Sequence, residues 1–329
     1  KTPTMASVGF SLLCCLAVCI GVPFTVAFSP TLSGVHTFLM RSEALSCFQQ
    51  KSARSERSSV MMASKDLLVV GAGVLGGSLV KQHKDKFPSE KIIAETRSEA
   101  KHAVLRELGA EPRTADQGQL AEKATNVVFC VPPGKQDDYK GEIERALGMW
   151  AGAPGRFVFT SSSGVYAAEN GEVCDENSPL SDTDRAMRIR PLEDTVLEAG
   201  GTVLRLAGLY ALDRGAHGAW LKMETVKQRP DSLIGLVSYE DAAGAVLDAL
   251  TCEADVAGQV FLICDGKEQS REEICKSALK TEMWREFKMP EFVATDGAFG
   301  KRFDCSKARS VLGWVPRYSS FDAFCELHK

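Results

Sequence analysis

Glycines at 71, 73 and 76 follow directly on four apolar residues in the run Leu67-Leu68-Val69-Val70-Gly71-Ala72-Gly73-Val74-Leu75-Gly76-Gly77. The apolar run predicts a buried strand, and residues 78–83 have a helix-compatible composition. Between a strand and a helix, glycines at this spacing have separate tasks. Gly71 permits a tight turn, Gly73 lets the backbone approach a pyrophosphate, and Gly76 lets the helix sit close to the strand. The helix N-terminus, with Val74 and Leu75, then faces the phosphate charge. The chemistry is dinucleotide binding; the plain alternative is a glycine-rich turn that packs tightly and binds nothing.

Three further strand ends carry residues able to do chemistry. A strand over 91–94 closes in Glu95-Thr96-Arg97. At this place a carboxylate prefers the 2′-hydroxyl of NAD, whereas an arginine accommodates the 2′-phosphate of NADP. Counting the apolar run puts Thr96 at the acid's usual place with Arg97 next, which favours NADP(H) over NAD(H). A register shifted by one puts Glu95 there and reverses the preference. Val131-Pro132-Pro133 offers a flat apolar backbone beside a nicotinamide ribose, or serves only to stop a strand. Ser161, Ser162 and Ser163 end another strand, as nicotinamide-facing ligands or as ordinary loop hydroxyls. No metal site is expected. The seven cysteines of 66–329 are scattered, never as C-x-x-C, and read as small buried or free thiols.

The elements that must position these residues alternate along the chain. Strands are expected at 91–94, 126–131, 156–160, 202–206 and 259–264, with helices at 98–108, 139–150 and 185–199 and a strand end plus helix at 237–250. This order predicts an α/β fold, a Rossmann-type doubly wound parallel sheet with helices on both faces. Ligands then bind at the carboxyl ends of the strands. The expected division is a dinucleotide-binding domain over 66–210 and a smaller C-terminal substrate lobe over 211–329, with 234–265 returning to the main sheet.

Residues 1–65 read differently. From Gly9 to Phe28 the chain is uncharged and mostly apolar, and residues 29–65 are rich in Ser and Arg. Residues 1–65 hold six Lys and Arg against two acids, a net of +4; the whole chain is −4, so 66–329 carry −8. The apolar run ending in small residues reads as a signal peptide, and the basic, acid-poor stretch after it as a transit peptide. Met5 is the expected start. The junction Val26-Ala27-Phe28-Ser29-Pro30 resembles the cleavage signature of bipartite plastid-targeting presequences in algae with secondary plastids of red-algal origin. The expected location is therefore the plastid, with no stable membrane anchor in the mature protein. The competing readings are the endoplasmic reticulum or a retained anchor, since about 20 apolar residues can span a bilayer. The −8 charge argues against nucleic acid as a partner, because phosphate binding needs a basic face.

Several motifs in order resemble one superfamily. Phe159-Thr160-Ser161-Ser162-Ser163-Gly164-Val165-Tyr166 looks like the serine-bearing strand end of extended short-chain dehydrogenases/reductases, the NAD-dependent epimerase/dehydratase group. Arg205-Leu206-Ala207-Gly208-Leu209-Tyr210 resembles their R-x-x-x-x-Y motif, and Val237-Ser238-Tyr239-Glu240-Asp241-Ala242-Ala243 their H-V-x-D-V-A segment, with Ser238 and Glu240 as departures. Leu312-Gly313-Trp314-Val315-Pro316 resembles their L-G-W-x-P. One departure is larger. Those enzymes carry Y-x-x-x-K with a Glu four residues beyond the Lys; if Glu193 is that Glu, Arg185 stands at the Tyr and Ile189 at the Lys. Arginine cannot act as a base at neutral pH, and isoleucine cannot hold a ribose hydroxyl. The chain is thus similar to atypical members of the superfamily. That resemblance implies Ser162 at the active-site serine position. It also implies Tyr166, Arg188, Tyr210, His217 and Tyr239 lining a substrate pocket.

Hydride transfer needs a positioned nicotinamide and one group to handle a proton. Ser162 and Tyr166 are the catalytic candidates. Arg188, Tyr210, His217 and Tyr239 are the substrate-binding ones, although His217 reads first as a plain exposed loop histidine, and Arg205 reads equally as an anion clamp or a structural ion pair. The expected function is an NADP(H)-dependent oxidoreductase or epimerase-like enzyme acting on a small polar metabolite. The missing dyad keeps a second class open: a catalytically silent NADP(H)-binding sensor or assembly protein.

Overall fold

The computed structural model describes residues 65–133 and 138–329. The signal, transit and cleavage readings fall on residues outside that range.

Seven parallel strands make the main sheet: β1 (Leu67–Val70), β2 (Ile92–Thr96), β3 (Glu111–Thr114), β4 (Asn126–Phe129), β5 (Phe157–Ser162), β6 (Thr202–Leu206) and β7 (Val260–Ile263). Their spatial order is β7-β6-β5-β4-β1-β2-β3. The molecule is a doubly wound α/β fold with a Rossmann strand order. β1, β4 and β6 are buried along their whole length; β1 reads as a continuous apolar run, while β4 begins with Asn126 and β6 carries the paired Arg205. Val70 pairs with Glu95 on one side and Phe129 on the other, which brings the carboxyl ends of β1, β2 and β4 level. The chain grows outward from β1 in both directions, so the switch point lies between β1 and β4.

The helices, in chain order, are α1 (Val74–Lys86), α2 (His102–Glu107), α3 (Tyr139–Gly148), α4 (Asp184–Glu198), α5 (Ala216–Trp220), α6 (Tyr239–Thr251), α7 (Arg271–Ala278) and α8 (Phe321–Glu326). α1 and α6 pack side by side on one face. There Leu75, Leu79 and Val80 share a core with Ala242, Ala245, Val246 and Ala249. The small alanine face lets the two helices approach closely. On the other face Ile143 and Ala146 of α3 and Leu192 and Val196 of α4 pack with Val127, Phe129, Phe157 and Phe159.

Two differences from expectation have physical causes. The segment 98–108 begins as a tight 3₁₀ turn, Glu99–Lys101, before α2. β3 carries no apolar run because it is an edge strand: none of Glu-Pro-Arg-Thr is fully buried, and an edge tolerates proline.

β7 and α6, both within 234–265, belong to the main sheet and its covering layer. A second, four-stranded sheet joins Gln269–Ser270, Leu233–Ile234, Gly300–Phe303 and Asn170–Cys174 in that order. Its last strand comes from before residue 210, so the small sheet borrows a segment of the first half. Beside it α7 and α8 enclose an aromatic core of Tyr210, Trp284, Phe321 and Phe324. The cysteines of the described residues are free, with Cys264 and Cys305 in contact. Among the described residues there is no cluster suited to a metal ion. None of their helices is long and apolar enough to cross a membrane.

Candidate functional site

A cavity of about 740 Å³ opens at the carboxyl ends of the strands. Its floor is the turn after β1. Gly71 has φ 88°, and a Cβ there would lie 2.7 Å from both the side chain and the backbone nitrogen of Val131. A Cβ on Gly76 would meet the Gly71 carbonyl and Val69 at 3.0 Å, so helix and strand touch there. Above Gly73 the nearest atom to such a Cβ is 3.8 Å away, which leaves the backbone open to the cavity. Gly73 is also the N-cap of α1 and supplies no side-chain acceptor. The first-turn amides are therefore available to an anion, and Gly73, Val74 and Leu75 line the cavity. The Cys130 thiol donates to the Gly71 carbonyl at 3.2 Å, and burial pushes its pKa up to about 12, so it holds the turn as a neutral thiol.

A second cavity of about 470 Å³ continues past the end of β2. Thr96, Arg97, Lys101 and Arg145 line it together with Glu95. The Thr96 hydroxyl is tied down, donating to the Ser98 carbonyl at 2.9 Å and meeting the His102 ring at the same distance. Glu95 is 1% exposed and held between two arginines, Arg113 at 3.2 Å and Arg145 closer still. Its backbone carbonyl accepts from the amides of Gly71 and Ala72. A carboxylate so neutralised is part of the scaffold of the turn. Arg97 faces Glu142, whose pKa burial raises and Arg97 lowers.

At the reacting end β5 delivers two hydroxyls with different fates. Ser161 donates to Glu193, which Arg205 grips in a buried bidentate pair at 2.7–3.2 Å. Its proton is committed to that network. The Ser162 oxygen accepts from the Gly164 amide at 3.2 Å and from Arg185 Nη2 at 3.4 Å. With two donors aimed at its oxygen, the proton of Ser162 is what remains to offer a ligand. Val131, Pro132 and Pro133 lie opposite, and Tyr139 donates to the Val131 carbonyl at 2.6 Å. Tyr239, first residue of α6, also lines the cavity, half-buried, with burial raising its pKa.

The structure does not bring Tyr166, Tyr210, His217 and Arg188 to this cavity. Tyr166 is 2% exposed, and its hydroxyl accepts from Arg205 at 3.3 Å under the end of β5. Burial pushes its pKa up to about 12 against the opposing pull of Arg205, so it stays protonated at neutral pH. Tyr210 stands edge-on to Phe321 and Phe324. His217 is packed against Trp284 and Phe321, its Nε2 on the Leu212 carbonyl at 3.3 Å, and burial lowers its pKa. These three side chains are large and amphipathic enough to be core: Tyr166 joins the core of the main sheet, and Tyr210 and His217 the aromatic cluster around Trp284 and Phe321. Arg188 is exposed and donates to the Asp184 carbonyl one turn back.

Sequence reasoning passed over two residues that do line the cavity, Arg185 and Ile189. The signal was the four-residue spacing back from Glu193, which puts both on the cavity side of α4. It showed there as the loss of a dyad rather than as the gain of a cation.

Other proteins share parts of this architecture. A family model described as NADP oxidoreductase, coenzyme F420-dependent, matches residues 66–148. The protein YeeZ of Escherichia coli (strain K12) is 31% identical over 172 residues, covering 50% of this chain. The match spans 58% of that curated relative's length. A functionally unknown conserved protein from Silicibacter pomeroyi DSS superposes with a TM-score of 0.65 at 19% identity, covering 79% of this chain and 96% of its own. UDP-glucose 4-epimerase of Thermotoga maritima, with UDP-glucose, gives 0.62 at 15% identity over 80% and 97%. UDP-glucuronic acid 4-epimerase of Bacillus cereus, with UDP-glucuronic acid and NAD, gives 0.63 at 16% over 80% and 98%. The structural neighbours are thus largely epimerase- and dehydratase-like Rossmann proteins, and the likeness is one of fold.

Proposed function

We propose that this protein is an NADP(H)-dependent oxidoreductase or epimerase-like enzyme acting on a small polar metabolite. The observation that carries the reading is one cavity, at the switch point of the sheet, that joins an open glycine backbone to a hydroxyl with a proton to offer. The cradle fits a dinucleotide: Gly71 and Gly76 are too crowded for side chains, while Gly73 faces open space. In this reading Gly71, Gly73, Val74 and Leu75 hold the pyrophosphate, and Val131, Pro132, Pro133 and Ser161 border the nicotinamide end. Thr96 and Arg97, with Lys101 and Arg145, surround the adenosine ribose. A bound nicotinamide would supply hydride acceptance and donation. Ser162 Oγ then donates its hydrogen to the substrate oxygen beside that ring. Tyr166 takes no direct part, because its hydroxyl is buried and held by Arg205. The presequence composition favours a plastid as the place of action.

The preference for NADP(H) rests on the cations at the second cavity and on a Glu95 carboxylate already taken by two arginines. Fluorescence titration should find NADPH bound more tightly than NADH. Arg97→Ala should shrink the gap by about 1.5–3 kcal/mol, the range for a charge-assisted contact. Equal affinities in the unmodified chain would return the preference to Glu95.

A silent dinucleotide-binding role is the second reading, favoured by Arg185 and Ile189 standing where a tyrosine and a lysine would do acid–base work. Tight NADPH binding with no turnover across a broad metabolite screen would select it.

A further inference from the structure

The described lining of the cavity is almost uncharged. Arg185 is the one charged side chain among the described residues that line it, and around it are Ile189, Leu206, Leu209, Ile234 and the phenol of Tyr239. The other arginines nearby are occupied: Arg205 by Glu193, Arg145 and Arg113 by Glu95, Arg190 by Asp182, and Arg188 by a backbone carbonyl. Among the described residues no carboxylate lies within ion-pair distance of Arg185, and its hydrogen bond is the 3.4 Å contact to Ser162. A guanidinium has five donors in a planar fork suited to a carboxylate, so most of its capacity is left for a ligand or for water.

We propose that Arg185 takes the carboxylate of the substrate, and that the substrate is a small 2- or 3-hydroxy acid or the matching oxo acid. This rests on the cofactor reading above and narrows it. Charge balance selects the ligand class. One guanidinium balances one carboxylate, whereas a phosphate dianion would find no second cation among the described residues that line the cavity. Spacing selects the position of the oxygen. With Arg185 and Ser162 only 3.4 Å apart, a carboxylate seated on the fork sets the adjacent carbon, or the next one, beside Ser162 Oγ. The oxygen on that carbon is the one Ser162 can hydrogen-bond. A neutral sugar would offer the guanidinium only neutral acceptors, which are the weaker partners.

The test uses the full chain, with and without NADP⁺. A panel of 2- and 3-hydroxy acids, their oxo acids and the matching primary amides is scored by thermal shift and calorimetry. At least one acid should bind, at least about tenfold more tightly than its amide, the scale of a charge-assisted pair. Arg185→Gln should remove the preference for acid over amide and leave NADPH affinity unchanged, while Arg185→Lys should keep part of it. Arg185 is exposed in the first turn of α4, so both variants should fold, which circular dichroism checks. The proposal is overturned if no acid binds, if acid and amide bind alike, or if the glutamine variant keeps the preference. Nucleotide titration of the unmodified chain is read separately. Its failure sinks the cofactor reading, whereas the acid-to-amide comparison without nucleotide still decides the role of Arg185.

Discussion

The two ends of the cleft are built by different means. At the β1 end the shape comes from backbone: Gly71 at positive φ under Val131, Gly76 against Val69, and Gly73 bare over the helix start. At Gly71 and Gly76 side chains are absent because there is no room for them, and at Gly73 the bare backbone is left open to the cavity. At the β5 end the shape comes from side chains linked in series: Ser161 to Glu193, Glu193 to Arg205, and Arg205 to Tyr166. A backbone site tolerates few residues and so announces itself as a motif. A side-chain site can exchange its reactive members while the buried pair beneath them stays in place. The contrast teaches that the binding half and the reacting half of one cavity can follow separate rules.

The comparison is broken most severely at Glu193. It is 1% exposed and its partner Arg205 5%, so Glu193→Leu strands a buried guanidinium and should cost about 3–5 kcal/mol. Adding Arg205→Met should recover much of that loss, since a buried pair exchanged for apolar groups is often close to neutral. Denaturant melts of the single and double variants measure it. A single-variant cost below about 1 kcal/mol would mean that the pair does not hold β5 to α4.

The β1 end is probed with two glycines six residues apart. Gly71→Ala forces a Cβ into Val131 at positive φ and should cost about 2–4 kcal/mol, with NADPH binding lost. Gly77 sits inside α1 with nothing within 4 Å of where a methyl group would stand, so Gly77→Ala should gain up to about 1 kcal/mol and leave binding alone. Similar behaviour of the two would show that the turn is set by something other than crowding.

The same contrast explains what was legible in the sequence. The strand–glycine–helix unit could be read because its constraint is local: an apolar run, then residues that only a crowded turn requires. β6 was placed to the residue, since it is buried at every position. β3 escaped because an edge strand has no apolar pattern to show. At the reacting end the residue types were visible but not their partners. Tyr166, Tyr210 and His217 look like chemistry in a sequence, and burial is what makes them scaffold. Likewise Asp241 and Trp314, in two motifs 73 residues apart, prove to hold each other: the Trp314 indole donates to the Asp241 carbonyl at 3.0 Å. Arg185 was readable only by counting, because nothing in its neighbours marks it as facing a cavity.

The finest separation is between two hydroxyls four residues apart. Ser162 lines the cavity with its proton uncommitted, and Tyr166 lies beneath it with its oxygen on Arg205. Ser162→Ala removes a group from the reacting end and nothing from the core. Any NADPH-dependent turnover should fall by about 10²-fold, and the melting midpoint should move little. Tyr166→Phe removes one hydrogen bond from Arg205, which keeps its grip on Glu193 and the Glu176 carbonyl. It should cost about 1 kcal/mol of stability and leave turnover within a few-fold, as the loss of a single neutral acceptor predicts. Turnover assays and melts on the two variants together decide the matter. If Tyr166→Phe abolishes turnover at unchanged stability, the phenol moves into the cavity during the reaction, and the division between a reacting surface and a silent layer below it fails.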